Sequence, residues 1–316
     1  MSKVLLIAGV FLAGHASAQP YPARPIRMMV PAAAAGVTDI AARVLTPKLT
    51  EALGQSVVVD NRAGAGGIIG TDIVAKAAPD GHTLMTAFDS FVSNPFVFKR
   101  VPYNTLKDFT PIALLIRGPQ IFVATPKLNV KTFTEFVTLA RAKPGTIRYA
   151  TAGPATSSRL SAEFFKSISK LDGTVIFFKG GGPALNDLLG GHVDVMIASV
   201  GLVLPHTRGG RLNALAVTSK NRSNLVPGVP AISEFYPQFE AQSWVGMLAP
   251  TATPPAIIKR LNEVVNKALA ENDIKERFSS LGYEIAGGTP DIFGDWLKTE
   301  SAKWGKVVRD HSITAE

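Results

Sequence analysis

Strand and helix signals alternate along this chain in two successive sets, and no other feature restricts the fold as much. Pro25–Val30 reads as a strand. Ile40, Val44, Leu45, Leu49 and Leu53 then recur at helical spacing up to Gly54, with Thr38 placed to cap the start. Pro47 falls inside that run and is expected to kink or break it. Ser56–Val59 is a second strand, Gly70–Ala77 a short helix and Thr83–Ala87 a third strand. Strands joined through helices lie parallel in one sheet, so the first hundred residues predict an α/β unit.

The second set begins beyond Gly118-Pro119, a pair flanked by the apolar runs Ile112–Ile116 and Ile121–Thr125, which suit a crossing between domains. Thr132-x-x-Glu135 is a capping box opening a helix to Ala142. Strands follow at Ile147–Ala150, Val175–Phe178, Val193–Ala198 and Asn213–Thr218. Between them lie helices at Leu160–Ser169, from Pro183 to Leu189, and near Leu202–Arg208. Ser243–Ala249 returns the chain to the first unit. Helices then run through Ile257–Leu269, through Asp273–Leu281, and onward from Thr289-Pro290, where Phe293, Trp296, Leu297 and Trp304 read as core. The expected architecture is α/β in two domains. Residues 19–118 and 244–316 form the first, residues 119–243 the second, and residues 1–18 are a leader.

Open α/β sheets bind ligands outside the carboxyl ends of their strands. Four polar or small-residue loops occupy such ends: Pro31–Asp39, Phe88–Asn94, Thr151–Arg159 and Lys179–Pro183. The third carries Gly153, then Thr156, Ser157 and Ser158, then Arg159, directly before a helix. A helix N-terminus offers unpaired N–H groups and a positive dipole end, and hydroxyls with an arginine add donors suited to a carboxylate or phosphate. The competing reading is an ordinary cap at Thr156 or Ser157, with Arg159 in solvent.

The 316 residues accommodate two domains and a normal core. Lys3, the apolar stretch Val4–Ala13 and Ala16-Ser17-Ala18 read as an export signal cleaved after Ala18, placing the mature chain in the periplasm. Its loss removes Lys3 alone among charged residues, taking the formal charge from +9 to +8. With no cysteine, disulfides, thiolate metal sites and a cysteine nucleophile are excluded. The basic residues are scattered rather than clustered with aromatics, so nucleic acid is not an expected partner. Gly64-x-Gly66 fails the dinucleotide fingerprint, because Ile69 stands where the third glycine is needed. Ser167-x-x-Lys170 matches a hydrolase pair only formally, and His82, His192, His206 and His311 are too scattered for a metal set. No cofactor and no metal are expected. Asp194, between two valines, reads as a hydrogen-bonded strand residue.

Several ordered motifs nevertheless point one way. They are Tyr21-Pro-x-Arg-Pro-Ile26, Asn61-Arg-x-Gly-Ala-Gly-Gly67, Pro79-Asp-Gly-x-Thr-Leu84, Lys179-Gly-Gly-x-Pro-Ala184, Asp194-Val-Met196, Ser243-Trp-x-Gly-x-x-Ala-Pro250 and Trp304-Gly-Lys-Val-Val308. Over the whole mature chain they resemble the periplasmic solute receptors of tripartite tricarboxylate transporters, the Bug or TctC-like proteins. The resemblance implies a type II periplasmic-binding-protein fold, with a ligand cleft between two domains that close on a small carboxylate. It also implies delivery to membrane permease subunits by a monomeric receptor without catalytic activity. Site residues implied in the first loop are Ala34, Ala35, Gly36, Val37, Thr38 and Asp39. Here alanines replace the family's aromatic, prolines and one glycine, and Ala35 disfavours the positive φ that glycine permits. In the other loops they are Phe88 and Ser90; Thr151, Ala152, Gly153, Thr156, Ser157, Ser158 and Arg159; Lys179, Gly180 and Gly181; and Ser199. Phe88 and Phe91 are expected to line a distal pocket suited to a bulkier, even aromatic, acid. Arg159 stands where the family commonly has histidine, which raises the expectation of a second ligand carboxylate. Asp89 would oppose that if it faced the cleft, or would select an amino group. A sensory receptor for the same ligand class and an exported hydrolase are the rival readings.

Overall fold

The computed structural model describes residues 21–314. The leader and its cleavage site lie outside those residues. The strands are β1 (Ile26–Val30), β2 (Val57–Asn61), β3 (Thr83–Phe88), β4 (Phe109–Ala124), β5 (Arg148–Thr151), β6 (Thr174–Phe177), β7 (Val195–Ser199), β8 (Asn213–Val217), β9 (Gln242–Pro250) and β10 (Glu284–Gly287). The helices are α1 (Val37–Leu53), α2 (Ile68–Ala75), α3 (Ser90–Val97), α4 (Phe133–Ala142), α5 (Ser157–Ser169), α6 (Gly181–Gly190), α7 (Val200–Arg208), α8 (Pro255–Leu269), α9 (Asn272–Ser280) and α10 (Pro290–Asp310).

Two sheets share β4. Its first half pairs with β9 and β10, and beyond β9 the strands β3, β1 and β2 complete the first sheet. Its second half pairs with β7 and β8, and β5 and β6 extend the second sheet from β7. The two apolar runs around Gly118-Pro119 are thus one 16-residue strand. Pro119 is tolerated because it occupies the last rung of the β9 ladder, just before the β7 and β8 ladders begin at Gln120 and Ile121. Little pairing is lost there with its missing N–H.

Helices cover both faces of both sheets. In the first lobe, α1, α8 and α9 bury Leu45, Leu49, Leu261, Val265 and Phe278 on one face. A second core joins α2, α3 and α10 to α4 and α5 through Phe91, Trp304, Phe133, Phe136 and Phe165, and so spans both lobes. A third packs α6 and α7 on the second sheet through Leu185, Leu188 and Val203. The capping box at Thr132 and Glu135 is formed as its spacing predicts.

Pro47 does not break α1, which runs uninterrupted through it. The carbonyl of Arg43 that loses its helical donor there receives the Thr46 hydroxyl at 3.5 Å instead. The Phe88–Asn94 loop is largely helix, since α3 starts at Ser90. Phe91 consequently turns into the core, 5.1 Å from Phe109 ring to ring, and does not line a pocket. Asp194 is bridged by Arg148 through two guanidinium contacts of 2.8 and 2.9 Å, a structural pairing at the strand edge.

Candidate ligand-binding site

Where the two sheets meet, a cavity of about 380 Å³ opens between the lobes, within the range of small-molecule sites. Five helices begin on its wall: α1 at Gly36 and Val37, α3 at Asp89, α5 at Thr156 to Ser158, α6 at Gly181 and Gly182, and α7 at Ser199. None of the N-cap residues of α1, α5, α6 and α7 caps its own helix through a side chain. The Thr156 hydroxyl donates to the Gly153 carbonyl at 2.9 Å, and that of Ser158 to the Ile197 carbonyl at 2.7 Å. The N-cap side chains thereby leave the first-turn N–H groups of α1, α5 and α6, from both lobes, open to a ligand.

The floor comes from the crossing strands, with Gln120 on β4 and Ser243 on β9. Leu281 and Tyr283, just before β10, complete it. Gly201, at the start of α7, donates its N–H to the Leu281 carbonyl at 3.1 Å. A Cβ on Gly201 would stand 2.3 Å from that oxygen, so only glycine permits this approach. Above the floor, the Ser93 hydroxyl of α3 donates to the Ala155 carbonyl of the second lobe at 2.9 Å. Phe88 and Ala152 face the cavity, and Ile40, Met196 and Leu202 make much of the remaining wall apolar.

The first loop is held from behind by its own residues. Asp39 is buried, accepts the Ala35 N–H at 2.9 Å and pairs with Arg43 at 2.9 Å. Arg43, the Ala35 N–H and Asn61 together hold its carboxyl below the usual range despite burial. Ala35 does adopt the left-handed conformation, with φ of +63°. Ala35, Gly36 and Val37 line the cavity; Ala34, Thr38 and Asp39 do not. Thr38 is not the cap either, because α1 is capped from Gly36 and Thr38 is buried in the first turn.

Other expected residues lie off the cavity. The Ser90 hydroxyl donates to the Gly66 carbonyl, and that of Thr151 to the Ile176 carbonyl. Gly153, Lys179 and Gly180 also stand outside its lining. Arg159 is neither in solvent nor in the cleft. It is 5% exposed, donates to the carbonyls of Pro154 at 2.7 Å and Thr314 at 2.5 Å, and lies 4.6 Å from the centre of the Phe177 ring. Its guanidinium ties the C-terminal tail to the α5 loop.

Asp89 does face the cavity. It is 5% exposed, and its carboxylate accepts the Trp244 N–H at 2.9 Å and the Ser243 hydroxyl at 3.2 Å. Burial pushes its carboxyl up to about 6, against the opposing pull of the Ser157 hydroxyl and the Trp244 N–H. Asp89 and Tyr283 are the titratable side chains on the wall among the described residues, and no lysine, arginine or histidine lines it. The Ser167 hydroxyl and His311 Nδ1 do meet, at 2.8 Å, but neither lines the cavity.

Comparison with known proteins bears on this arrangement. The family model described as tripartite tricarboxylate transporter family receptor matches residues 41–313. Protein BugT of Bordetella pertussis is 38% identical over 318 aligned positions, which cover 98% of each chain. The structure of R. palustris Rpa4515 with adipate aligns at a TM-score of 0.87 and 31% identity, over 93% of this chain and 99% of that one. That of MatC from Rhodopseudomonas palustris with bound malate aligns at 0.83 and 33%, over 91% and 100%. Two lobes sharing crossing strands above a cleft form the type II periplasmic-binding-protein fold. With the receptor model matched along most of its length, the chain belongs to the receptor family of tripartite tricarboxylate transporters.

Proposed function

We propose that this protein is a periplasmic solute receptor that captures a small carboxylate in the cleft between its lobes. It then delivers that ligand to the permease subunits of a tripartite tricarboxylate-type transporter. One observation carries the ligand class: helix N-termini of both lobes, uncapped by their N-cap side chains, open on one cavity whose described wall holds no cationic side chain. Such a site holds an anion through backbone N–H groups and helix dipoles, and because those donors come from both lobes the ligand favours the closed state. The closing bodies are residues 119–243 against residues 19–118 and 244–316, hinged at the strands that cross between them. Adipate and malate in two relatives support a carboxylate as the class. A monomer that binds without turnover fits a wall on which the Ser243 hydroxyl is held by Asp89 at 3.2 Å and no histidine or lysine stands among the described residues to activate it.

A thermal-shift panel of aliphatic and aromatic carboxylates tests this reading. A cognate acid at about 100 times its Kd stabilises the folded protein by roughly 2.7 kcal/mol. The absence of a shift with every carboxylate, or turnover of an ester or amide in the cleft, would overturn it.

A further inference from the structure

Asp89 is out of place in an anion site. It stands at the start of α3 in helical conformation, with φ of −42° and ψ of −44°, and its side chain does not cap that helix. The carboxylate instead crosses to β9, where the Trp244 N–H and the Ser243 hydroxyl hold it against the cavity wall. A carboxylate accepts about four hydrogen bonds, so these leave room for another donor. Next to it the buried Tyr283 hydroxyl lines the same cavity, beside the hydroxyls of Ser199 and Ser243. Phe88, one residue before Asp89, presents an aromatic wall.

The cavity wall thus carries two opposing influences, with Asp89 at the start of α3 and beside Ser157 of α5. Helix N-termini favour negative charge, and Asp89 opposes it. Resting on the carboxylate reading above, we infer that the ligand is a carboxylate that also carries an ammonium group, and that Asp89 receives the ammonium with the Tyr283 oxygen beside it. A second ligand carboxylate at this wall would meet a like charge in a desolvated place, and one of the two would have to be protonated to stay. An ammonium supplies the opposite charge that a buried carboxylate otherwise lacks.

Burial keeps the Asp89 carboxyl near 6, so it is ionised at neutral pH while still short of a cationic partner. The groups around it are the Ser157 hydroxyl on α5, Ser243 and the Trp244 N–H on β9, Tyr283 before β10, and Glu300 on α10. Glu300 raises the Asp89 carboxyl further. Its own charge is met by Lys303 at 3.0 Å and the Trp304 indole N–H at 2.8 Å. None of these groups is a cation directed at Asp89.

The test is calorimetric titration of the full mature protein with matched probes. α-Amino acids are paired with their desamino acids, and 6-aminohexanoate is compared with hexanoate and adipate, at pH 5.5 and 7.5. At pH 7.5 at least one amino acid is expected to bind about tenfold or more tighter than its desamino partner, the low end for a desolvated charge pair. In Asp89→Asn that ratio should fall to within about twofold, with a thermal melt verifying the fold of the variant. Adipate should bind better at pH 5.5 than at 7.5. Three outcomes would overturn the inference. They are desamino acids binding the unaltered protein as well as or better than every amino acid, an amino-acid preference surviving Asp89→Asn, and tight adipate binding that does not change with pH. Binding of desamino acids alone would leave the carboxylate reading standing, whereas failure of every carboxylate would remove both.

Discussion

The Asp89→Asn exchange should stabilise the ligand-free protein in a pH-dependent way. The Asp89 carboxyl moves from an ordinary value of 3.8 to about 6 in the folded state, chiefly because it is buried. The folded state therefore holds the proton more tightly than the unfolded chain. That contribution is fully present below pH 3.8 and is lost as the pH rises through 6. At 1.36 kcal/mol per pKa unit, the loss amounts to roughly 3 kcal/mol by neutral pH. Asparagine occupies the same volume, does not titrate, and can still accept the Trp244 N–H. Urea denaturation of both proteins between pH 4 and 8 should show near-equal stability at pH 4 and an advantage for Asp89→Asn that grows to about 2–3 kcal/mol by pH 7.5. A pH-independent difference, or a variant less stable than its parent at pH 7.5, would show that no buried, uncompensated carboxylate faces the cleft.

Two further substitutions probe the loops. Arg159→Met removes charged donors from the Pro154 and Thr314 carbonyls, so it should cost about 2 kcal/mol and speed amide exchange near residues 311–314. It should weaken mono- and dicarboxylates alike, and a loss confined to dicarboxylates would return Arg159 to the ligand. Ala35→Gly should raise the melting temperature, worth about 1 kcal/mol, by relieving a left-handed alanine. A lower melting temperature would show that no strain is stored there.

The alternation of strand and helix was legible because the crossovers carry a helical apolar period and α4 its capping box, and the α5 hydroxyls announced a helix start on the cavity. What misled was direction. Ser157 and Arg159 are two residues apart on α5, and at about 100° per residue they point to nearly opposite sides, one into the cleft and the other toward the tail. Phe91 went astray for a related reason, because Pro95 masked a helix that turns this ring into the core. Gln120, Ser243 and Tyr283 carry no local motif. Strands distant in sequence bring them to one floor: the β4–β9 register sets Ser243 opposite Gly118, two residues before Gln120. Asp39 is read as a ligand group through the loop's resemblance to the family pattern, yet it serves as the latch that shapes the loop.

If helix N-termini hold a carboxylate, the protein must distinguish an acid from its primary amide. Gly36 caps α1 on the cavity wall with φ of −78°, which any residue can adopt. Asp is a favoured N-cap, so Gly36→Asp should keep or slightly improve stability while filling the place of the ligand's charge. By calorimetric titration, the unaltered protein should bind the cognate acid at least about tenfold more tightly than its amide, as charge-assisted hydrogen bonds require. Gly36→Asp, folded and stable, should lose the acid. Equal affinity for acid and amide, or undiminished acid binding in Gly36→Asp, would contradict a carboxylate held by helix N-termini.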